Sequence, residues 1–196
     1  MDSVPLTPSN EAGAYPTPPA ARASKSELRS YLQTVLGAII LATLIMTFIA
    51  RAFTVDGPSM QPTLYSGERL IVDKITYIMH PPHVGDVVVF HFPADTSQYY
   101  IKRVVGGPGD KVEIAGGKVY VNGVAQSDTF SGGSVVGAFG PSIVPADHYF
   151  VLGDNRNNSE DSRSLRVGYV SQQLIIGRAL WRYWPLSKAG LLPGSD

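Results

Sequence analysis

Residues 31 to 50, YLQTVLGAIILATLIMTFIA, hold no charged side chain. Twenty residues of helix rise about 30 Å, the thickness of a bilayer's hydrocarbon core. Inside lipid a single such run must satisfy its backbone hydrogen bonds internally, which leaves the helix as its solution. The sequence therefore predicts one transmembrane helix over residues 28–52. Ala50-Arg51-Ala52 has the form of an A-x-A leader cleavage site, but the apolar run exceeds a leader's usual core of about 7 to 15 residues. A buried globular helix is rarely so uniformly apolar. Arg22, Lys25 and Arg29 flank the run on its N-terminal side, against Arg51 and then only Arg69 beyond it. That bias places the N-terminus in the cytoplasm and the larger part of the chain outside it.

Five prolines, Pro5, Pro8, Pro16, Pro18 and Pro19, lie among Ser, Thr and Ala in residues 1–27, a composition that builds no core and reads as a disordered tail. After the apolar run the texture changes to short β-type segments broken by Gly and Pro: RLIVDKI, DVVVF, YYIKRVV, KVEI, KVYVN, HYFVLGD and LIIGRALWRYW. Residues 53–196 are thus expected to be a mainly antiparallel β domain. Ala115-Gly116-Gly117 predicts a hairpin turn, Asn122-Gly123 a second turn, and about 111–147 a smaller hairpin and loop lobe. Lys+Arg and Asp+Glu both number 16, so no basic surplus draws nucleic acid. The absence of cysteine excludes disulfides and thiolate chemistry. GGPGDK near residue 108 lacks the GK[ST] ending of a phosphate loop and reads as a turn.

Ser59 stands in GPSMQPTL, residues 57 to 64, where Gly and Pro mark a constrained loop and the hydroxyl is either a turn-former or a positioned nucleophile. A nucleophile needs a base. His80 and His83 flank Pro81-Pro82, His91 alternates with Phe90 and Phe92, and His148 begins a strand. Each reads more readily as structural, although a Ser-His-Asp triad using Asp154 or Asp161 can be drawn. In YYIKRVV, Lys102 and Arg103 stand side by side in a strand, which sends them to opposite faces. A cation on a buried face must be paired or lose its charge, and lysine can do the second where arginine cannot. A neutral Lys102 is a candidate general base; an exposed edge-strand lysine is the competing reading.

Four stretches in order, GPSMQPTL, GDVVVF (85–90), YYIKRVVGGPGD (99–110) and GDNRNNSEDSR (153–163), resemble the type I signal peptidases, from about Ser30 to near the C-terminus. The resemblance implies a serine and lysine dyad, with Ser59 as nucleophile and Lys102 as base. It implies that Ser159 orients the lysine amine and that Asp161 and Arg163 shape the site. Phe53, Val55, Met60, Leu64, Tyr100 and Ile101 match positions that line two shallow apolar pockets. The backbone N–H of Ser59 supplies one oxyanion donor; some members carry a serine where this chain has Gly57, which leaves the second donor without a side chain. Asn157 stands where relatives often have an acid. The implied substrates are signal peptides of secretory precursors, cut after a small residue with another small residue two positions earlier, at the cell membrane and without metal or organic cofactor. A strand-like substrate would bond beside the loop before Ser59 and the strand before Lys102. Two other readings remain: a membrane-anchored β domain that binds peptides without cleaving them, and a related self-cleaving regulator.

Overall fold

The computed structural model describes residues 25–44, 49–127, 130–131 and 133–194. The proline-rich segment 1–24 lies outside the described residues. One helix, α1, covers Lys25–Leu44, three residues earlier than the predicted start. It contains fourteen residues of the uncharged run and opens with Lys25, Glu27 and Arg29. Leu28, Tyr31, Leu36 and Ile39 all stand exposed along it. Among the described residues no helix is long and apolar enough to cross a membrane. At the other end the expectation of helix through residue 52 is corrected: Ala50–Thr54 is a strand, β1, paired antiparallel with Arg69–Asp73, β2.

Apart from a four-residue helix, α2, at Thr76–Met79 and two short 3-10 turns, the rest of the described chain is mainly antiparallel β structure. Val87–Phe92 (β3) and the long Asp95–Gly106 (β4) form a hairpin, followed by Lys111–Ala115 (β5), Lys118–Val121 (β6), Val124–Ala125 (β7), Phe139–Ile143 (β8), His148–Leu152 (β9), Val170–Ser171 (β10), Ile175–Trp184 (β11) and Gly190–Leu191 (β12). The larger sheet runs β1-β2-β11-β3-β4-β9-β10, with β12 on β11, and the smaller runs β7-β6-β5-β8. The smaller sheet is the predicted lobe, with one difference: the Ser/Gly/Val-rich stretch read as loop contributes β8, which pairs β5. Gly116 and Gly117, at φ +55° and +78°, form the two-residue β5–β6 turn, the mirror-image turn that matches strand twist.

β3, β4 and β9 are covered on both faces. Val87 and Val89 join a cluster with Val55, Met60, Leu64 and Leu70, whereas Val88 and Phe90 join one with Val104, Tyr149 and Val151. Val105, Phe150 and Leu152 pack instead with Val112, Ile114 and Val119 beneath the small sheet. Such double coverage explains the unbroken apolar run VVVF. It also means that any charged residue in the middle of β4 is buried whichever way it points.

Candidate active site

β1 leads into the serine loop. Gly57 turns the chain at φ +82°, a conformation that costs glycine nothing, and the turn is closed by Gln61 N–H donating to Pro58 O at 3.1 Å and Leu64 N–H to Met60 O at 2.8 Å. Met60 and Leu64 are fully buried in the core and anchor the loop from beneath. A second segment braces it from the side: Asn155 donates through its N–H to Ser59 O at 3.0 Å and through Nδ2 to Pro58 O at 3.2 Å. That contact requires Gly153, where a Cβ would come within 2.4 Å of Ser59 O and 2.3 Å of Ser159 Oγ. Sequence reasoning gave Gly153 and Asn155 no role, since a polar GDN run carries no sign of what it touches.

Lys102 and Arg103 are both buried, at 4% and 3% exposure, so the reading of Lys102 as an exposed edge-strand lysine is corrected and each cation needs a solution. Arg103 is paired: Nε and Nη2 donate to the two carboxylate oxygens of Asp154, each at 2.8 Å, and Nη1 donates to Gly85 O and Pro193 O. Lys102 Nζ has no carboxylate bonded to it. It lies 2.9 Å from Ser59 Oγ, donates to Ile101 O at 3.0 Å, and sits 5.1 Å from the centroid of the Tyr100 ring. Burial pushes its pKa down to about 8, against an opposing pull from the carboxylates of Asp161, Glu160 and Asp154. Each of those carboxylates is committed elsewhere: Asp161 to Arg163 Nε at 2.8 Å and to the Gly153 N–H, Glu160 to Tyr100 OH and Arg166, Asp154 to Arg103.

An open cleft of about 770 Å³ runs along this pair. Phe53, Val55, Gly57 and Ser59 form one wall, Tyr99, Tyr100, Ile101 and Lys102 the other, and Ser159 and Glu160 border the cleft as well. Met60 and Leu64, expected to line pockets, do not reach the cleft surface, because both side chains are spent on anchoring the loop. Ser159 Oγ is buried beside the site yet has no hydrogen-bond partner, so the contact with the amine implied by the resemblance is not made in this structure. Asp161 and Arg163 fasten the loop that carries Ser159, and Asn157 ties it to the small lobe by accepting from Val136 N–H at 2.8 Å and donating to Ser134 O at 2.9 Å. None of the four histidines borders the cleft, and Asp154, drawn into a possible triad, is held by Arg103. Among the described residues no group of three His, Asp or Glu side chains could hold a metal ion.

Comparison with known proteins gives this arrangement a context. The family model described as "Signal peptidase, peptidase S26" matches residues 28–184. The chain is 42% identical over 187 residues to Signal peptidase I of Leptolyngbya laminosa, covering 90% of this chain and 91% of the relative. It is 42% identical over 166 residues to Probable signal peptidase I-2 of a Synechocystis strain, covering 82% of this chain and 75% of that one. Signal peptidase IB of Staphylococcus aureus is 35% identical over 182 residues, with 84% and 93% covered. Matches of this length run through the serine loop, β4 and the GDN segment alike, and the chain belongs to the signal peptidase family, peptidase S26, as a serine protease.

Proposed function

We propose that the chain is a membrane-anchored endopeptidase that removes signal peptides from exported precursors by a two-residue mechanism, with Ser59 as nucleophile and Lys102 as general base. The observation that carries this reading is the 2.9 Å approach of Lys102 Nζ to Ser59 Oγ by an amine that burial has moved toward its neutral form. In the first step neutral Lys102 takes the Ser59 proton as Oγ forms a bond to the scissile carbonyl carbon. The C–N bond then breaks, and the ammonium returns that proton to the leaving amine. In the second step Lys102 takes a proton from water, the hydroxide attacks the acyl carbon, and Ser59 Oγ leaves with the proton restored. The Ser59 N–H donates to the oxyanion; Gly57 brings no hydroxyl to the second position. Phe53, Val55, Tyr100 and Ile101 supply apolar walls to which a precursor adds as an extended strand with small side chains facing inward.

The uncharged run 31–50 and the basic residues before it support a single span with a cytoplasmic N-terminus, a catalytic domain outside the cytoplasm and residence in the cell membrane. No cofactor has a part in these steps. The test uses the full chain in detergent with a precursor substrate. Ser59→Ala and Lys102→Ala are each expected to lower cleavage by at least about a thousandfold, and the double variant by no more than either alone. Retained activity in either single variant overturns the dyad.

A further inference from the structure

A cation and two aromatic rings stand together at the cleft, at a definite distance from the serine. β1 and β4 form its two walls and run in the same sense, toward Ser59 and Lys102 respectively, although neither pairs with the other in the sheet. Where they enter the cleft, the Phe53 and Tyr99 rings meet edge-on with centroids 5.4 Å apart. The Arg51 guanidinium carbon lies 5.0 Å from both ring centroids, and the His91 ring packs on Tyr99 with centroids 4.9 Å apart. Cation and rings hold one another in place. Arg51 and Tyr99 are exposed and Phe53 half-buried, so the group is accessible to a bound chain.

Tyr99 precedes Lys102 by three strand residues, about 10 Å at the rise of a β-strand. A peptide extended back along the groove from a scissile carbonyl at Ser59 Oγ therefore sets its fourth residue level with Tyr99 and its contact with Phe53 and Arg51. This rests on the function proposed above, which puts the residues before the cleaved bond in this groove. We propose that Arg51, held against Phe53 and Tyr99 beside the groove, determines specificity at the fourth residue before the cleaved bond, disfavouring a basic side chain there. The two rings hold the guanidinium in place, and it repels a second cation brought within a few ångströms. Neither Arg51 nor Tyr99 takes part in the chemistry; both act on substrate binding.

The experiment measures kcat/KM of the full chain in detergent micelles on matched peptides with Ala, Glu or Lys at the fourth position. The wild type is expected to cleave the Lys peptide about fivefold or more less efficiently than the Ala peptide, through KM rather than kcat. The ratio should fall below about twofold in Arg51→Ala and persist in Arg51→Lys, while Tyr99→Ala should shrink it by freeing the guanidinium to swing away. An equal ratio in wild type and Arg51→Ala, or none in the wild type, overturns the proposal. Binding of the same peptides to Ser59→Ala reads the preference without catalysis, so a failure of the proposed chemistry and a failure of this specificity give different results.

Discussion

Residues 102 and 103 are neighbours in one strand, equally buried, and the protein treats them in opposite ways. On the Arg103 face the guanidinium is given two carboxylate oxygens and two carbonyls, so all of its charge is answered. Around Lys102 three carboxylates, the Arg103 partner Asp154 among them, are close enough to raise the amine's pKa, yet every one is held by another donor. Burial alone therefore does not make a base. On the proposed mechanism, what makes one is burial in a place where the available counter-charges have been taken by other donors.

The largest expected effect breaks the chemical side of that contrast. Lys102→Arg keeps a cation in β4 but supplies a group that does not give up its proton, and peptide cleavage should fall at least about a thousandfold while the circular dichroism spectrum stays that of the wild type. The wild-type profile of kcat/KM should rise with pH through an apparent pKa of about 8. It should do so equally in a variant lacking all four histidines; a limb that disappears with them would assign the base elsewhere.

Stability separates the two faces next. Arg103→Met leaves the Asp154 carboxylate buried without its partner and is expected to cost about 3–5 kcal/mol in urea unfolding. Lys102→Met replaces a desolvated amine by an apolar chain of similar length and should cost little or add stability at pH 7. A cost as large as that of Arg103→Met would mean that the amine is paired after all.

A smaller effect sharpens the comparison through pH. The folded-state pKa of Lys102 is depressed below its unfolded value, so between about 8 and 10.4 the unfolded chain binds more protons than the folded one. By linkage, stability must rise with pH across that window, by at most about 1.4 kcal/mol per unit. The penalty is complete below pH 8 and gone above 10.4. Unfolding free energies of wild type minus Lys102→Met should show this positive slope; a flat difference would remove the depressed pKa from the account.

The smallest effect concerns the far side of the Arg103 pair. Thr63 Oγ1 donates to Asp154 Oδ2, tying the serine loop to the buried ion pair. Thr63→Val should cost about 1–2 kcal/mol and lower kcat more than it raises KM, by loosening Ser59. An unchanged kcat would show that the loop is held by Asn155 and its apolar anchors alone.

Much of the large sheet was legible because its strands are β-branched, aromatic and bounded by Gly or Pro: RLIVD, VVVF, YYIKRVV and HYFVL all fall in strands. β8 was not, since FGPSI contains two residues that strands avoid and its partners, β5, Phe150 and Tyr169, all lie distant in the chain. The end of α1 and the start of β1 share one apolar texture, so the boundary between them left no mark. Within the site, a strand's alternation separates Lys102 from Arg103 but says nothing about how many faces are covered, and Asp154 lies too far along the chain for any local pattern to join it to Arg103. The placement of Ser59 against Lys102 was legible only through the family resemblance. Met60 and Leu64 show the limit of that resemblance, for a matching position says which residue is present and not which way it faces.

Gly153 carries a consequence for how this enzyme tolerates change. With Ser59 O and Ser159 Oγ both inside the space a methyl group would need, the serine loop and the Ser159 turn share a clearance smaller than one carbon atom. Two parts of the site are thereby set against a common stop, and drift in either is felt by both. In a scan of single substitutions, position 153 should behave like a catalytic position, silent only as glycine, although it has no side chain to offer the reaction.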